Sequence, residues 1–302
     1  MTTSDEAPQH RAGFASIVGR PNVGKSTLTN ALVGQKVAIT SARPQTTRHV
    51  VRGIVHRPDA QLVLVDTPGV HRPRTLLGER LNEMVLETLS AVDVIGVCLP
   101  ADERIGPGDR FILEQLADRR APLVAIVTKV DAVDRRHALP PKLVEIDRLA
   151  AFTEIVPVSA VAGMQVDELS DVLTGLLPPG PALYPDGELT DEPEQVLVAE
   201  LVREAVLEGV RDELPHSIAV AVEEMTPRDG KDLIDVYAIV YVERPSQKAI
   251  VIGRSGGRLR EVGTRARREI EALIGSRVYL DLHVKILKDW QRDPKQLQRL
   301  GF

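Results

Sequence analysis

The chain has 302 residues, 43% of them hydrophobic, enough to bury two cores, and a single cysteine, Cys98, so no disulfide framework stabilises it. Its net charge of −5 excludes a simple polyanion binder, but Arg244 to Phe302 carries 14 Lys and Arg against 6 Asp and Glu and so stands at +8 on a body at −13. No apolar run approaches the roughly 18 residues that span a bilayer, and "MTTSDEAPQHR" has no signal-peptide core, so an intracellular, cytoplasmic protein is expected.

Residues 1–12 read as a disordered N-terminus. From 13 to 177, β-rich runs ("GFASIVG", "HVVRGIVH", "QLVLVDT", "DVIGVCL", "LVAIVTK", "EIVPVS") alternate with helical stretches such as "KSTLTNALVG", "ERLNEMVLETLSAV" and "VDELSDVLTGLL". That alternation predicts an α/β domain with a largely parallel sheet covered on both faces, and Cys98 falls on one of its buried strands. Residues 178–194, with five prolines, two glycines and several acids, read as a linker. From 195 to 302 the pattern is a helix, a hairpin ("SIAVAVEEM" and "LIDVYAIVYVE" around "TPRDGKD"), "QKAIVIG", a glycine turn, a basic helix to Ile274 and the strand "RVYLDLHVKIL".

The first chemistry lies in "GRPNVGKST". Gly19, Asn22, Val23, Gly24, Lys25, Ser26 and Thr27 follow an apolar strand and open a helix, the setting of a phosphate-binding loop. Small residues let backbone N–H groups curl around phosphate oxygens, the helix terminus adds positive potential, Lys25 brings a point charge, and the Ser26 hydroxyl suits Mg²⁺. In "LVLVDTPG", Asp66 ends a strand where it can serve the same cation, followed by Thr67, Pro68 and Gly69, whose N–H can approach a terminal phosphate. In "VTKVD", Thr128 and Lys129 lead to Asp131, a carboxylate able to accept both donors on the guanine edge, a pair that adenine lacks. Ser159 and Ala160, at the end of the next strand, bring a backbone N–H within reach of guanine O6.

In the second half, Gly253-Arg254-Ser255-Gly256 forms a G-x-x-G turn before a helix that carries Arg258, Arg260, Arg265, Arg267 and Arg268. A nucleic-acid backbone can pass close to such a turn, with arginines on its phosphates. Trp290 is the one large aromatic platform, with structural packing as its other reading. At this level an RNA-acting P-loop ATPase or kinase, a non-enzymatic RNA module and a membrane-surface regulator all stay open.

The ordered set "GRPNVGKS", "QTTR", "DTPG", "TKVD" and "SA" resembles the translation-factor-related GTPases, and the stretch from Gly19 to Ile54 resembles the Era family in particular. The second half is similar to a type II KH domain. The resemblance implies GTP and GDP as ligands, with Lys25 on the β- and γ-phosphates, and Mg²⁺ held by Ser26, Asp66 and either Thr46 or Thr47. It implies switch segments at Lys36–Arg48 and Thr67–Leu81. It implies a K⁺ at Asn22, because Val70 stands where other GTPases place a water-orienting glutamine. The implied partners are single-stranded RNA at the 3′ end of small-subunit ribosomal RNA, the 30S subunit and a peripheral contact with the inner face of the cell membrane. Thr128 stands where the family carries asparagine.

Overall fold

The computed structural model describes residues 9–40, 51–69, 75–208 and 217–302. They fall into two compact units: the first takes the described parts of 1–38, 49–71 and 82–191, the second those of 39–48, 72–81 and 192–302.

The first unit is built on a six-stranded sheet of β1 (Arg11–Val18), β2 (Val51–Arg57), β3 (Ala60–Asp66), β4 (Val94–Pro100), β5 (Leu123–Thr128) and β6 (Glu154–Pro157), in the order β2-β3-β1-β4-β5-β6. All pairings are parallel except that of the edge strand β2 with β3. Every residue of β3 and β4 is buried, as expected of strands covered on both faces. One face packs on Leu28 and Leu32 of α1 (Lys25–Val33) and Leu169 and Leu173 of α5 (Val166–Gly175). The other packs on Val85 and Leu89 of α2 (Leu76–Ala91), Ile112 and Leu116 of α3 (Pro107–Leu116) and Ile146 of α4 (Leu139–Asp147). In-phase registers, Ile17 beside Asp66 and Pro100 beside Thr128, bring the carboxyl ends of the strands to one edge of the sheet.

One sequence expectation needs correction. The strand β1 begins at Arg11, inside the segment expected to be disordered; residues 1–8 lie outside the described ones. The stretch expected as a linker, 178–194, contains the boundary between the two units, and its part through Asp191 is fastened to the first. The buried Gln61 side chain accepts the N–H groups of Leu183 and Tyr184 at 2.6 and 2.9 Å and donates to the Tyr184 carbonyl at 2.9 Å, acting as a strand partner. Farther on, Ile54 N–H donates to Leu189 O at 2.9 Å, and Arg52 pairs with Asp191 at 2.9 Å.

The second unit orders its elements as the sequence suggests: α6 (Glu194–Leu207), β7 (Ala219–Pro227), β8 (Ile234–Val242), α7 (Pro245–Ile252), the glycine turn, α8 (Gly257–Ile274) and β9 (Val278–Ile286). β7 and β8 form the antiparallel hairpin, and β9 joins β8 in parallel. Val198, Val202, Val206, Val240, Val262, Ala266 and Ile270 make the core between helices and sheet, and Ile39 belongs to it. A second cluster gathers Ile239, Tyr241, Trp290, Leu297, Leu77 and Leu81. An additional helix, α9 (Pro294–Arg299), is capped by Asp293, which accepts the N–H groups of Lys295 and Gln296.

Candidate functional site

The loop from Gly19 to Gly24 joins β1 to α1 and is held in conformations that small residues adopt at least cost. Gly19 has φ 157°, and a Cβ there would stand 2.8 Å from Val23 Cγ2 and 2.9 Å from the Cys98 carbonyl, so a side chain is excluded. Asn22 sits at φ 65° and Gly24 at φ 98°, turning the chain so that α1 begins at Lys25. The N–H groups of the first turn have no partner inside the helix, and this is the end that attracts anions.

Lys25 is buried. Its ammonium donates to the carbonyls of Gly19 at 3.1 Å and Arg20 at 2.9 Å. Burial pulls it below the ordinary lysine range, opposed only in part by Asp66. A cation held this way gains from an anionic ligand. Ser26 donates to Asp66 across 2.7 Å, and Asp66 is fully buried. A hydroxyl and a carboxylate converging below a helix N-terminus form the hard-oxygen donor set that Mg²⁺ takes, so the residues present fit that ion. The Thr67 hydroxyl donates to Ile17 O at 3.2 Å, while Gly69 lies so close to Pro21 that a Cβ would stand 3.1 Å from its ring. Beneath the loop the Cys98 thiol is pushed up to about 12 by burial.

The neighbouring strand ends complete the cradle. The Thr128 hydroxyl donates to the Val23 carbonyl at 2.7 Å. Lys129 turns through φ 57°, and the exposed Asp131 follows on a single 3₁₀ turn. Ser159 is buried; its N–H donates to Met164 O at 3.1 Å, its carbonyl accepts Met164 N–H at 2.9 Å and its Oγ accepts Ala162 N–H at 3.1 Å. Of the two residues expected near O6, Ser159 already spends its amide on Met164. Thr46, Thr47 and Val70 lie outside the described residues.

The second candidate site is in the second unit. Gly253 (φ 71°), Ser255 (φ 51°) and Gly256 (φ 74°) make the turn, and a Cβ on Gly253 would meet Arg258 Cβ at 2.7 Å. Behind it opens a cleft of about 390 Å³ floored by Leu259, Leu280 and Leu282 and rimmed by Arg260, Thr264, Arg267 and Tyr279. Arg254 is exposed at the turn. One expectation is corrected here, and one open choice is decided in favour of packing. Arg258 points inward, donating to Val206 O at 3.3 Å and Glu208 O at 2.8 Å, so it closes the end of α6 and does not face the cleft. Trp290 is fully buried, donates to Ser217 O at 3.1 Å and stacks on Phe302. The exposed aromatic is Tyr279, 55% accessible, with the Arg228 guanidinium 5.4 Å from its ring centre. Its place on β9, at the rim beside a leucine-lined floor, was the signal that sequence reading passed over.

Comparison with known proteins follows both sites. The 50S ribosome-binding GTPase family profile matches residues 14–129, and the KH domain profile matches 213–291. The GTPase Era of Streptomyces coelicolor is 68% identical over 314 aligned positions, covering 100% of this chain and 99% of the relative. The GTPase Era of Mycolicibacterium smegmatis is 65% identical, over 97% of this chain and 99% of its own. Among solved structures, Era in complex with MgGDPNP and nucleotides 1506–1542 of 16S ribosomal RNA superposes with a TM-score of 0.93 at 38% identity, over 97% of this chain and 99% of that one. An Aquifex aeolicus Era variant bound to GDP·AlF4⁻ superposes equally well, over 96% of this chain. Among the described residues no helix is long and apolar enough to cross a membrane.

Proposed function

The chain belongs to the Era family of GTPases, and on that premise we propose that it is a cytoplasmic GTP-driven switch that holds single-stranded RNA at the 3′ end of small-subunit ribosomal RNA during assembly of the 30S subunit. The observation that carries the RNA assignment is the Gly253–Gly256 turn at the mouth of a cleft rimmed by Arg260, Arg267 and Tyr279. A relative of the same architecture was solved with nucleotides 1506–1542 of 16S ribosomal RNA.

In the nucleotide site, Lys25 exchanges the loop carbonyls it now holds for the β- and γ-phosphates, and the N–H groups from Gly24 to Thr27 take the remaining oxygens. Asp131 accepts the guanine donors, Ala160 N–H meets O6, and Lys129 lies along the nucleotide. Ser26, Asp66 and Thr46 or Thr47 hold Mg²⁺, which when bound neutralises charge on the phosphate oxygens. Gly69 offers its N–H to the γ-phosphate.

Val70 cannot orient water as a glutamine would, so another group must complete the site, and we assign Asn22, held at φ 65° in the phosphate loop, to hold a K⁺ where an arginine finger would otherwise act. The described parts of the switch segments 36–48 and 67–81 are shared between the two units, 36–38 and 67–69 counted with the first and 39–40 and 75–81 with the second, and on this sharing we rest a coupling of the γ-phosphate to the KH surface. Hydrolysis then times RNA release.

The test changes Arg254 and Ser255 together to Asp. Filter binding with a ribosomal 3′-end oligonucleotide is expected to fail, and RNA should no longer alter phosphate release. Retained RNA affinity would refute the KH assignment.

A further inference from the structure

Glu103 lies in the turn between β4 and α3, outside every motif named above. Its carboxylate meets the Arg20 guanidinium at 3.1 Å and the Lys129 ammonium at 3.2 Å. These partners belong to opposite ends of the nucleotide site: Arg20 follows Gly19 in the phosphate loop, and Lys129 belongs to the guanine segment. We propose that Glu103 is a positioning residue, an ionic splint that ties the base-binding loop to the phosphate loop and so sets how long a guanine nucleotide stays bound.

Exposed ion pairs as a class contribute little, because holding two long side chains in one geometry costs entropy. Here that ordering is already supplied from both sides. Arg20 Nε donates to the buried Asp109 carboxylate at 2.7 Å, whose other oxygen accepts Gly106 N–H at 2.8 Å at the start of α3. Gly108 leaves the room for this, since a Cβ there would stand 2.7 Å from Arg20 Cδ. On the other side, Lys142 of α4 donates to the Glu103 carbonyl at 2.8 Å and fixes the turn itself.

The splint also reaches the phosphate cation. The Arg20 backbone carbonyl accepts from Lys25 at 2.9 Å, so the side chain that Glu103 holds belongs to the residue that aims Lys25. Burial alone would raise the Glu103 carboxyl, but hydrogen bonds and charge from Lys129 and Arg20 outweigh it and hold it below the usual carboxylate range. It is therefore ionised wherever nucleotide binds near neutral pH.

The inference rests on the nucleotide-site assignments of the preceding subsection. The test measures release of fluorescent GDP and GTP analogues from the full chain with Mg²⁺ present. Glu103→Ala is expected to release both nucleotides about three- to tenfold faster, and Glu103→Gln, which keeps shape without charge, falls between. Raising the salt to about 1 M should bring the parent close to the variant. Because either arm alone is no splint, Arg20→Ala combined with Glu103→Ala should release no faster than the faster single variant. Unchanged release, additive effects, or faster release that merely tracks a lowered thermal midpoint of the nucleotide-free protein would each overturn the proposal. Lys25→Ala, run alongside, separates the two levels. If it retains nucleotide like the parent, the site assignment itself falls; if it loses nucleotide while the Glu103 variants behave like the parent, only the splint falls.

Discussion

The Thr128 hydroxyl donates to the Val23 carbonyl across 2.7 Å, and so the end of the strand that leads to the proposed base-binding segment is tied to the middle of the phosphate loop. Threonine in place of the family's asparagine thus retains a brace on that loop. Thr128→Ala leaves a buried carbonyl without this partner, a loss of about 1–3 kcal/mol, and is expected to speed GDP release by one order of magnitude or more. Thr128→Asn should stay within a few-fold of the parent. Stopped-flow displacement of a fluorescent GDP analogue checks both.

Asp131 stands exposed on its 3₁₀ turn. Asp131→Asn is expected to weaken GTP and to admit xanthosine triphosphate, whose additional carbonyl can accept from the new amide. Retained GTP preference in a competition titration would remove Asp131 from base recognition.

The Asn22 assignment makes the monovalent cation matter. Phosphate release is expected to be faster in KCl than in NaCl at equal ionic strength, with the difference lost in Asn22→Ala. Equal rates in the two salts would take K⁺ out of the mechanism.

Tyr279 and Trp290 should separate binding from stability. Tyr279→Ala removes a surface ring, and if a base stacks on it, RNA affinity falls by about 1–3 kcal/mol with little change in thermal midpoint. Trp290→Ala empties a fully buried position and should cost about 3–5 kcal/mol of stability. Paired filter-binding and thermal-melt measurements on the two variants decide the assignment.

Cys98 gives a pH signature. The native thiol is held at about 12, against 9.0 for the free group, so the native chain keeps a proton that the unfolded chain gives up. The resulting stability is fully present below pH 9.0 and is lost as pH rises toward 12, by about 1.4 kcal/mol per pH unit. The buried Lys25 works in the opposite sense below its own ordinary value of 10.5, so the comparison is with Cys98→Ala, in which the Lys25 contribution is shared. Unfolding curves from pH 8 to 10 should show the parent losing ground to that variant.

Both folds, and the meeting of the candidate nucleotide-site strand ends, were legible in the sequence because parallel strands end at one edge. Gly19, Asp66 and Thr128 each punctuate an apolar run, and a sheet in register must bring such punctuation together. What stayed hidden depends on direction, which periodicity does not carry. Arg258 and Arg260 look alike in a basic helix, yet the first faces the end of α6 and the second the cleft. Trp290, between charged neighbours, could be read either way and closes the face of the sheet. Gln61 read as one polar residue in a strand, although its amide is what fastens the proline-rich stretch. Glu103 belonged to no pattern, since two cations distant in sequence give it its meaning.

Ile39, Leu77 and Leu81 are 5%, 1% and 2% exposed, and their buried neighbours belong to the second unit. A protein cut after Asp191 would keep all the nucleotide contacts assigned above and still not be a self-sufficient enzyme. It would carry three apolar side chains stripped of their cover, on the segments proposed above as switches. Such a fragment should self-associate and hydrolyse GTP irregularly, for reasons unrelated to its catalytic groups. The complementary fragment would expose the faces that those side chains close. Activity lost on splitting this chain therefore reports broken packing, and regulation by the KH half is better measured with point substitutions in the intact protein.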